Sequence, residues 1–248
     1  MIKERDLKCA RIDYDRESRC GVPEVIFASG KTVEQMVTII RGMAKDGRNA
    51  WASRVSPEQA EAVRREIPEA QYHAVSRMLT LDVKKDRSVG LPTHAKISRR
   101  GSGDPRPCGT VAVLCAGTSD VAVAEEAAFT VERLGLKVLR EYDVGVAGLH
   151  RLLGRLDAIR KADVIIVVAG MEGALPSVVA GLVTAPVIAV PVSVGYGIGA
   201  GGFAALAGML TSCSPGISVV NIDNGFGAGV CAAKILAGRA SPERAARE

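Results

Sequence analysis

The sequence predicts an α/β protein in which a doubly wound, three-layer parallel sheet follows a small α+β domain. Three observations predict it. After residue 107, five apolar runs alternate with helical stretches; continuous apolarity marks strands buried on both faces of a parallel sheet. Before residue 88, short strand and helix signals are mixed without that rhythm. Between them, Ser88–Pro107 is rich in Gly, Pro, Ser and basic residues, the composition of a linker. The expected organisation is a first domain over 1–87, a linker over 88–107, an α/β domain over 108–240 and a tail over 241–248.

In the first domain, Glu24–Phe27 is a strand candidate. Thr32 and Glu34 open a helix running to Lys45, with Val33, Met36, Val37, Ile40 and Met43 near helical spacing. Asn49–Val55 is a strand, and Ser56-Pro57-Glu58-Gln59 starts a helix, with Ser as cap, Pro in the first turn and Gln three residues on. Gln71–Leu81 is expected to be one further strand. In the second domain the strands are Thr110–Cys115, Lys137–Val144, Val164–Ala169, Val187–Val192 and Ile217–Ile222. The helices are Ser119–Leu134, Leu149–Lys161, Leu175–Val183, Gly202–Leu210 and Phe226–Ala237. Five such units make a flavodoxin-like sheet, whose ligand crevice lies at the carboxyl ends of the strands.

Composition narrows the function. With 48% hydrophobic and 24% charged residues, the 248-residue chain is no disordered protein. Aromatics are 4% with a single Trp51, too few for single-stranded nucleic-acid stacking, so no nucleic-acid partner is expected. Residues 1–107 carry 21 Lys+Arg against 15 Asp+Glu, and the remainder 11 against 12; this mild basic bias suits phosphates on a small ligand. Residues 173 to 222 hold no charge, yet Pro176, Pro186, Pro191 and Pro215 cut the stretch into strand- and helix-sized pieces. A buried sheet core extended by contacts between subunits therefore replaces a membrane span as the expectation. The six cysteines (9, 20, 108, 115, 213 and 231) form no Cys-x-x-Cys pair, and the first residues lack an apolar leader. Free thiols in a cytoplasmic protein are expected.

Several motifs could carry chemistry. Ser29-Gly30-Lys31-Thr32 ends like a P-loop, but Val25 stands where the first Gly is required; Lys31 and Thr32 can hold a phosphate at the helix start or simply begin a helix. Gly197-Ile-Gly199-Ala-Gly201-Gly202 fits Gly-x-Gly-x-x-Gly but in the fourth strand–helix unit rather than the first, so it is a loop for backbone approach rather than a dinucleotide fingerprint. Gly117-Thr118-Ser119-Asp120 follows the first strand, where it can bind an anion or cap the helix. Glu172 is the sole charge between Asp163 and Asp223, and a carboxylate in such apolar company is costly unless functional. Cys213, in Thr211-Ser-Cys-Ser-Pro-Gly216, is either packing or a reactive thiol. His150 is a ligand contact or a surface residue.

Taken together, Ser119-Asp120, His150-Arg151 and Ala169-Gly170…Leu175-Pro176 make the second domain resemble class I aminoimidazole ribonucleotide carboxylase/mutase. That enzyme carries a catalytic His before its Leu-Pro, whereas this chain has Met171-Glu172-Gly173-Ala174. The departures, with Thr211–Gly216, Val220–Gly229 and the string Asp13-Tyr-Asp-Arg16-Glu-Ser-Arg19-Cys-Gly21-Val-Pro23 through Thr32, resemble the LarB family of nickel-pincer nucleotide cofactor biosynthesis. The resemblance implies carboxylation of the pyridinium ring of nicotinic acid adenine dinucleotide and hydrolysis of its phosphoanhydride. The products are pyridinium-3,5-biscarboxylic acid mononucleotide and AMP.

An electron-poor pyridinium will not attack carbon dioxide. Thiolate addition turns it into an enamine that will. The resemblance makes Cys213 that thiol and Glu172 an active-site carboxylate for proton transfer or ring positioning. It puts Gly117, Ser119, Asp120, His150, Arg151 and Gly170 around the substrate, with Gly199 and Gly201 in the glycine loop. Arg16, Arg19, Lys31 and Thr32 are candidates for phosphate or carboxylate contacts. Carbon dioxide or bicarbonate is the expected co-substrate; magnesium, with unknown ligands, is expected to offset pyrophosphate charge. No flavin is expected, no membrane partner, and the implied assembly is a homo-oligomer, an octamer as in the purine enzymes. The competing readings are a purine-type carboxylase/mutase and a flavin- or nucleotide-binding module without chemistry.

Overall fold

The computed structural model describes residues 4–83 and 109–239. The expected linker and tail, His94 and Cys108 lie outside the described residues. The chain divides into two compact units, Met1–Ala95 and Lys96–Glu248.

The first unit opens with an antiparallel hairpin, β1 (Glu4–Asp6) and β2 (Arg11–Asp13), and a short helix α1 (Arg16–Cys20). None of these is visible in the hydrophobic pattern: the strands have three residues each and α1 buries none of its own. A four-stranded sheet follows, with β3 (Ile26–Phe27), β4 (Ala50–Ser53), β5 (Gln71–His73) and β6 (Met78–Leu81) in the order β3-β4-β6-β5. Only β3 and β4 pair in parallel. The single strand expected over Gln71–Leu81 is thus a hairpin, closed where Arg77 adopts φ 53° without a glycine to announce it. Helices α2 (Val33–Lys45) and α3 (Pro57–Glu66) both begin with capping boxes: Thr32 with Gln35, and Ser56 with Gln59. Met36, Ile40, Met43, Val63 and Leu79 form the heart of this unit's core.

The second unit runs β7 (Thr110–Cys115), α4 (Val121–Arg133), β8 (Lys137–Glu141), α5 (Leu149–Leu153), α6 (Leu156–Ile159), β9 (Val164–Ala169), α7 (Leu175–Ala180), β10 (Val187–Pro191), α8 (Phe203–Leu210), β11 (Ile217–Val219) and α9 (Gly225–Arg239). Its five strands are all parallel, in the flavodoxin-like order β8-β7-β9-β10-β11. Side chains alternate across the sheet. Ala112, Leu114, Ile165, Val167 and Ala189 meet Leu152, Ile159, Val179 and Met209 of α5, α6, α7 and α8. Val111, Val113, Ile166 and Val168 point to the other face, where α4 and α9 pack on each other and on the sheet. Three expected strands are shorter, ending at Glu141, Pro191 and Val219. The helix expected over Leu149–Lys161 breaks at Gly154-Arg155 into α5 and α6. Gly154 weakens the helix there, while Leu152, Leu156 and Ile159 stay buried on one side.

Candidate active site

From β7 the chain moves outward to β8 and then crosses back over β7 to reach β9, so the strand order reverses between β7 and β9. Loops leaving the carboxyl ends of two such strands diverge and leave a crevice. Here it is a cavity of about 570 Å³, within the range of small-molecule sites. Its walls are Ser119 and Asp120 after β7, Asp143 and Arg151 after β8, Gly170, Met171 and Glu172 after β9, and Val194 and Tyr196 after β10.

Asp120 anchors the floor. It is only 6% exposed, and its carboxylate accepts the Gly117 N–H at 2.8 Å and the Gly170 N–H, tying the β7 loop to the β9 loop. Burial raises its pKa above the ordinary carboxylate range, against the downward pull of the two N–H groups. A Cβ on Gly170 would collide with the Val194 carbonyl oxygen, so only glycine lets the β9 and β10 loops close on each other. The Asp223 carboxylate accepts the Ser193 N–H at 2.8 Å and joins the β11 loop to the same rim. Asp143, Met171 and Asp223 all have φ between 53° and 58°. Left-handed non-glycine residues after three strands of one sheet mark loops whose conformation is imposed by their surroundings. Across the crevice, Arg151 on α5 donates to Asp143 at 2.5 Å, which fixes its guanidinium fork at the mouth.

Two family models match the chain, one in each unit. A family model for the LarB/PurE-like N-terminal domain matches residues 4–84, and one for AIR carboxylase matches residues 110–246. The chain belongs to the LarB family. Its second unit is an AIR carboxylase domain, and the family's function is that of a carboxylase-type enzyme acting on nucleotide-related compounds. The protein MJ0165 of Methanocaldococcus jannaschii is 42% identical over 227 residues, 91% of this chain and 83% of that one. The same organism's N5-carboxyaminoimidazole ribonucleotide mutase is 38% identical over 134 residues, 51% of this chain and 78% of its own length. The crystal structure of Treponema denticola PurE aligns with 53% of this chain and 85% of its own, at 22% identity and a TM-score of 0.44. No helix among the described residues is long and apolar enough to cross a membrane.

Of the residues singled out in this LarB family member's sequence, Gly117, Ser119, Asp120, Arg151, Gly170 and Glu172 line one crevice. Glu172 is exposed at its rim, so the cost of burial expected from its apolar sequence neighbours does not arise. His150 is exposed on α5 and outside the lining, because consecutive helical residues point about 100° apart and Arg151 takes the crevice side. Gly199 and Gly201 do not line it either; Gly199 packs against the backbone of Met171, so the glycine loop approaches a neighbouring loop.

Cys213 is exposed in the α8–β11 loop and is not part of the lining. That loop is tied down, with Ser177 Oγ donating to Ser212 Oγ at 2.7 Å and Ser214 Oγ to the Ser177 carbonyl at 2.8 Å. Cys115, at the end of β7, is buried, and burial pushes its thiol up to about 11, which disfavours the thiolate.

Lys31, Thr32, Arg16 and Arg19 belong to the first unit. There Thr32 caps α2, Arg16 pairs with Asp13 and Glu24, and Arg19 pairs with Asp13 and Asp15. Asp143 and Tyr196 were missed by sequence reasoning. Asp143 has a weak signal, an Asp two residues before Gly145 at a strand end; Tyr196 has one in the glycines on either side of it.

Proposed function

We propose that the crevice takes nicotinic acid adenine dinucleotide, carboxylates its pyridinium ring and cleaves its phosphoanhydride, releasing pyridinium-3,5-biscarboxylic acid mononucleotide and AMP. The observation that carries this reading is the polarity of the crevice. A guanidinium held by Asp143 stands at the β8 side, suited to a phosphate, and Glu172 and Tyr196 stand on the β9 and β10 loops, suited to a cationic ring. No imidazole lines it, which counts against a purine-type mutase working through histidine.

In this reading a thiolate adds to the ring beside the target carbon, and the nitrogen takes the electron pair. The resulting enamine carbon forms a bond to carbon dioxide. Glu172 removes the proton from that carbon, the electrons return to the ring, and the carbon–sulfur bond breaks to release the thiolate. Water attacks phosphorus in the separate hydrolytic step and AMP leaves. Among the described residues no three His, Cys, Asp or Glu side chains gather to hold a metal ion, and no step is assigned to magnesium.

In this reading a second copy of the chain brings Cys213 to the crevice. Cys213 does not line its own, its loop is tied to Ser177, and α8, leading into that loop, exposes Phe203 and Leu210, side chains that another copy would cover.

Mass spectrometry of products from the dinucleotide and ¹³C-bicarbonate tests the reading. Labelled biscarboxylate mononucleotide and AMP are expected, with labelled product abolished in Cys213→Ser at unchanged folding. Persistent carboxylation in that variant ends the covalent route. Turnover of aminoimidazole ribonucleotide instead, or a bound yellow chromophore, identifies the purine enzyme or a flavin module.

A further inference from the structure

We propose that Tyr196 is the platform on which the pyridinium ring stacks, and that it makes the crevice prefer a cationic ring over a neutral one. This rests on the substrate class proposed above. The chain has four tyrosines, and three of them use their hydroxyls: Tyr14 donates to Asp46, Tyr72 to the Val55 carbonyl and Tyr142 to Glu125. Tyr196 is 78% exposed, its hydroxyl has no partner among the described residues, and it supplies the aromatic ring of the crevice lining. A ring left in water at the edge of a cavity has both faces available to a ligand.

Its backbone is nonetheless fixed. The Gly199 N–H donates to the Tyr196 carbonyl at 3.1 Å, and the Gly201 N–H to the Ser193 carbonyl at 3.1 Å. A Cβ on Gly195 would come within 2.5 Å of the Gly199 carbonyl oxygen, so the loop is folded tightly on itself. Gly195 and Gly197 on either side bring no side chain to crowd the ring. An electron-rich tyrosine face attracts a planar cation, and Glu172 on the neighbouring loop adds a negative charge to the same side of the crevice. Thiolate addition removes the ring's charge and planarity. Tyr196 therefore holds the substrate more tightly than the adduct, and its loss raises KM without lowering kcat.

Calorimetric titration tests this with nicotinic acid mononucleotide, the full dinucleotide and its neutral dihydropyridine form. Tyr196→Ala is expected to weaken both cationic ligands by roughly tenfold and to leave the neutral one nearly unchanged, while Tyr196→Phe retains binding. Tyr196→Trp is expected to give a long-wavelength charge-transfer band with the cationic ligands alone. Unaltered binding in Tyr196→Ala, or equal weakening of charged and neutral rings, overturns the proposal. Weakening of the dinucleotide but not the mononucleotide also overturns it, by putting the adenine on the tyrosine. A wild-type protein that binds neither cationic ligand removes the substrate assignment itself.

Discussion

Asp120 shows what a single buried carboxylate does for this fold and when. Its two N–H partners come from different loops, so the crevice floor depends on it. Burial nevertheless raises its pKa above the value of about 3.9 it would have in an unfolded chain. Folding therefore favours its neutral form. The stability it contributes is complete below the unfolded pKa and is lost as pH rises through the raised folded value. Asp120→Asn does not titrate, so its stability relative to wild type should rise from pH 3.5 to pH 7 in urea unfolding. A constant difference between the two pH values would show that Asp120 titrates alike in both states. Asp120 was legible in the sequence because Ser-Asp after a first strand is a recognisable arrangement. Asp143 and Tyr196 were not, because their importance comes from contacts made across loops, Asp143 with Arg151 and the Tyr196 loop with Gly170.

Among the elements, legibility follows burial. The bounds of β7 and β9 coincide with the apolar runs because nearly every residue in them is buried, leaving no polar position to blur the ends. The short β1, β2 and α1 bury little and are held by ion pairs such as Arg19 with Asp13, which leave no periodic trace. Helix starts were legible where side chains do the capping. The Ser56 hydroxyl accepts the Gln59 N–H at 3.1 Å, and the Gln59 amide donates to the carbonyls of Ala28 and Lys31, so one residue closes α3 and fastens the β3–α2 loop. Ser56→Ala is expected to cost about 1 kcal/mol of stability from the lost cap. Gln59→Ala should cost more, since it removes the reciprocal bond and the two loop contacts together. Equal losses in denaturant unfolding of the full chain would mean that the tie to the β3–α2 loop contributes nothing.

At the scale of the whole molecule, the relation that matters is between Glu172 in the crevice and Cys213 outside its lining. One chain presents the carboxylate to its own cavity and the thiol to the surface beside an apolar helix face. The sequence made both residues conspicuous but carried no information on which crevice each one serves, since separation along a chain says nothing about packing between chains. If the thiol acts on a neighbouring copy's substrate, two different inactive variants must repair each other. Cys213→Ser and Glu172→Gln should each lower carboxylation by ~10²-fold or more when expressed alone. Co-expressed in equal amounts and assembled at random, they form some sites with an intact Glu172 from one copy and an intact Cys213 from another, and about a quarter of the wild-type rate should return. Within a single chain no such repair is possible, because every crevice would contain one lesion or the other. A mixed preparation no more active than its components would therefore assign Cys213 to its own crevice, and would require the α8–β11 loop to leave Ser177 during turnover.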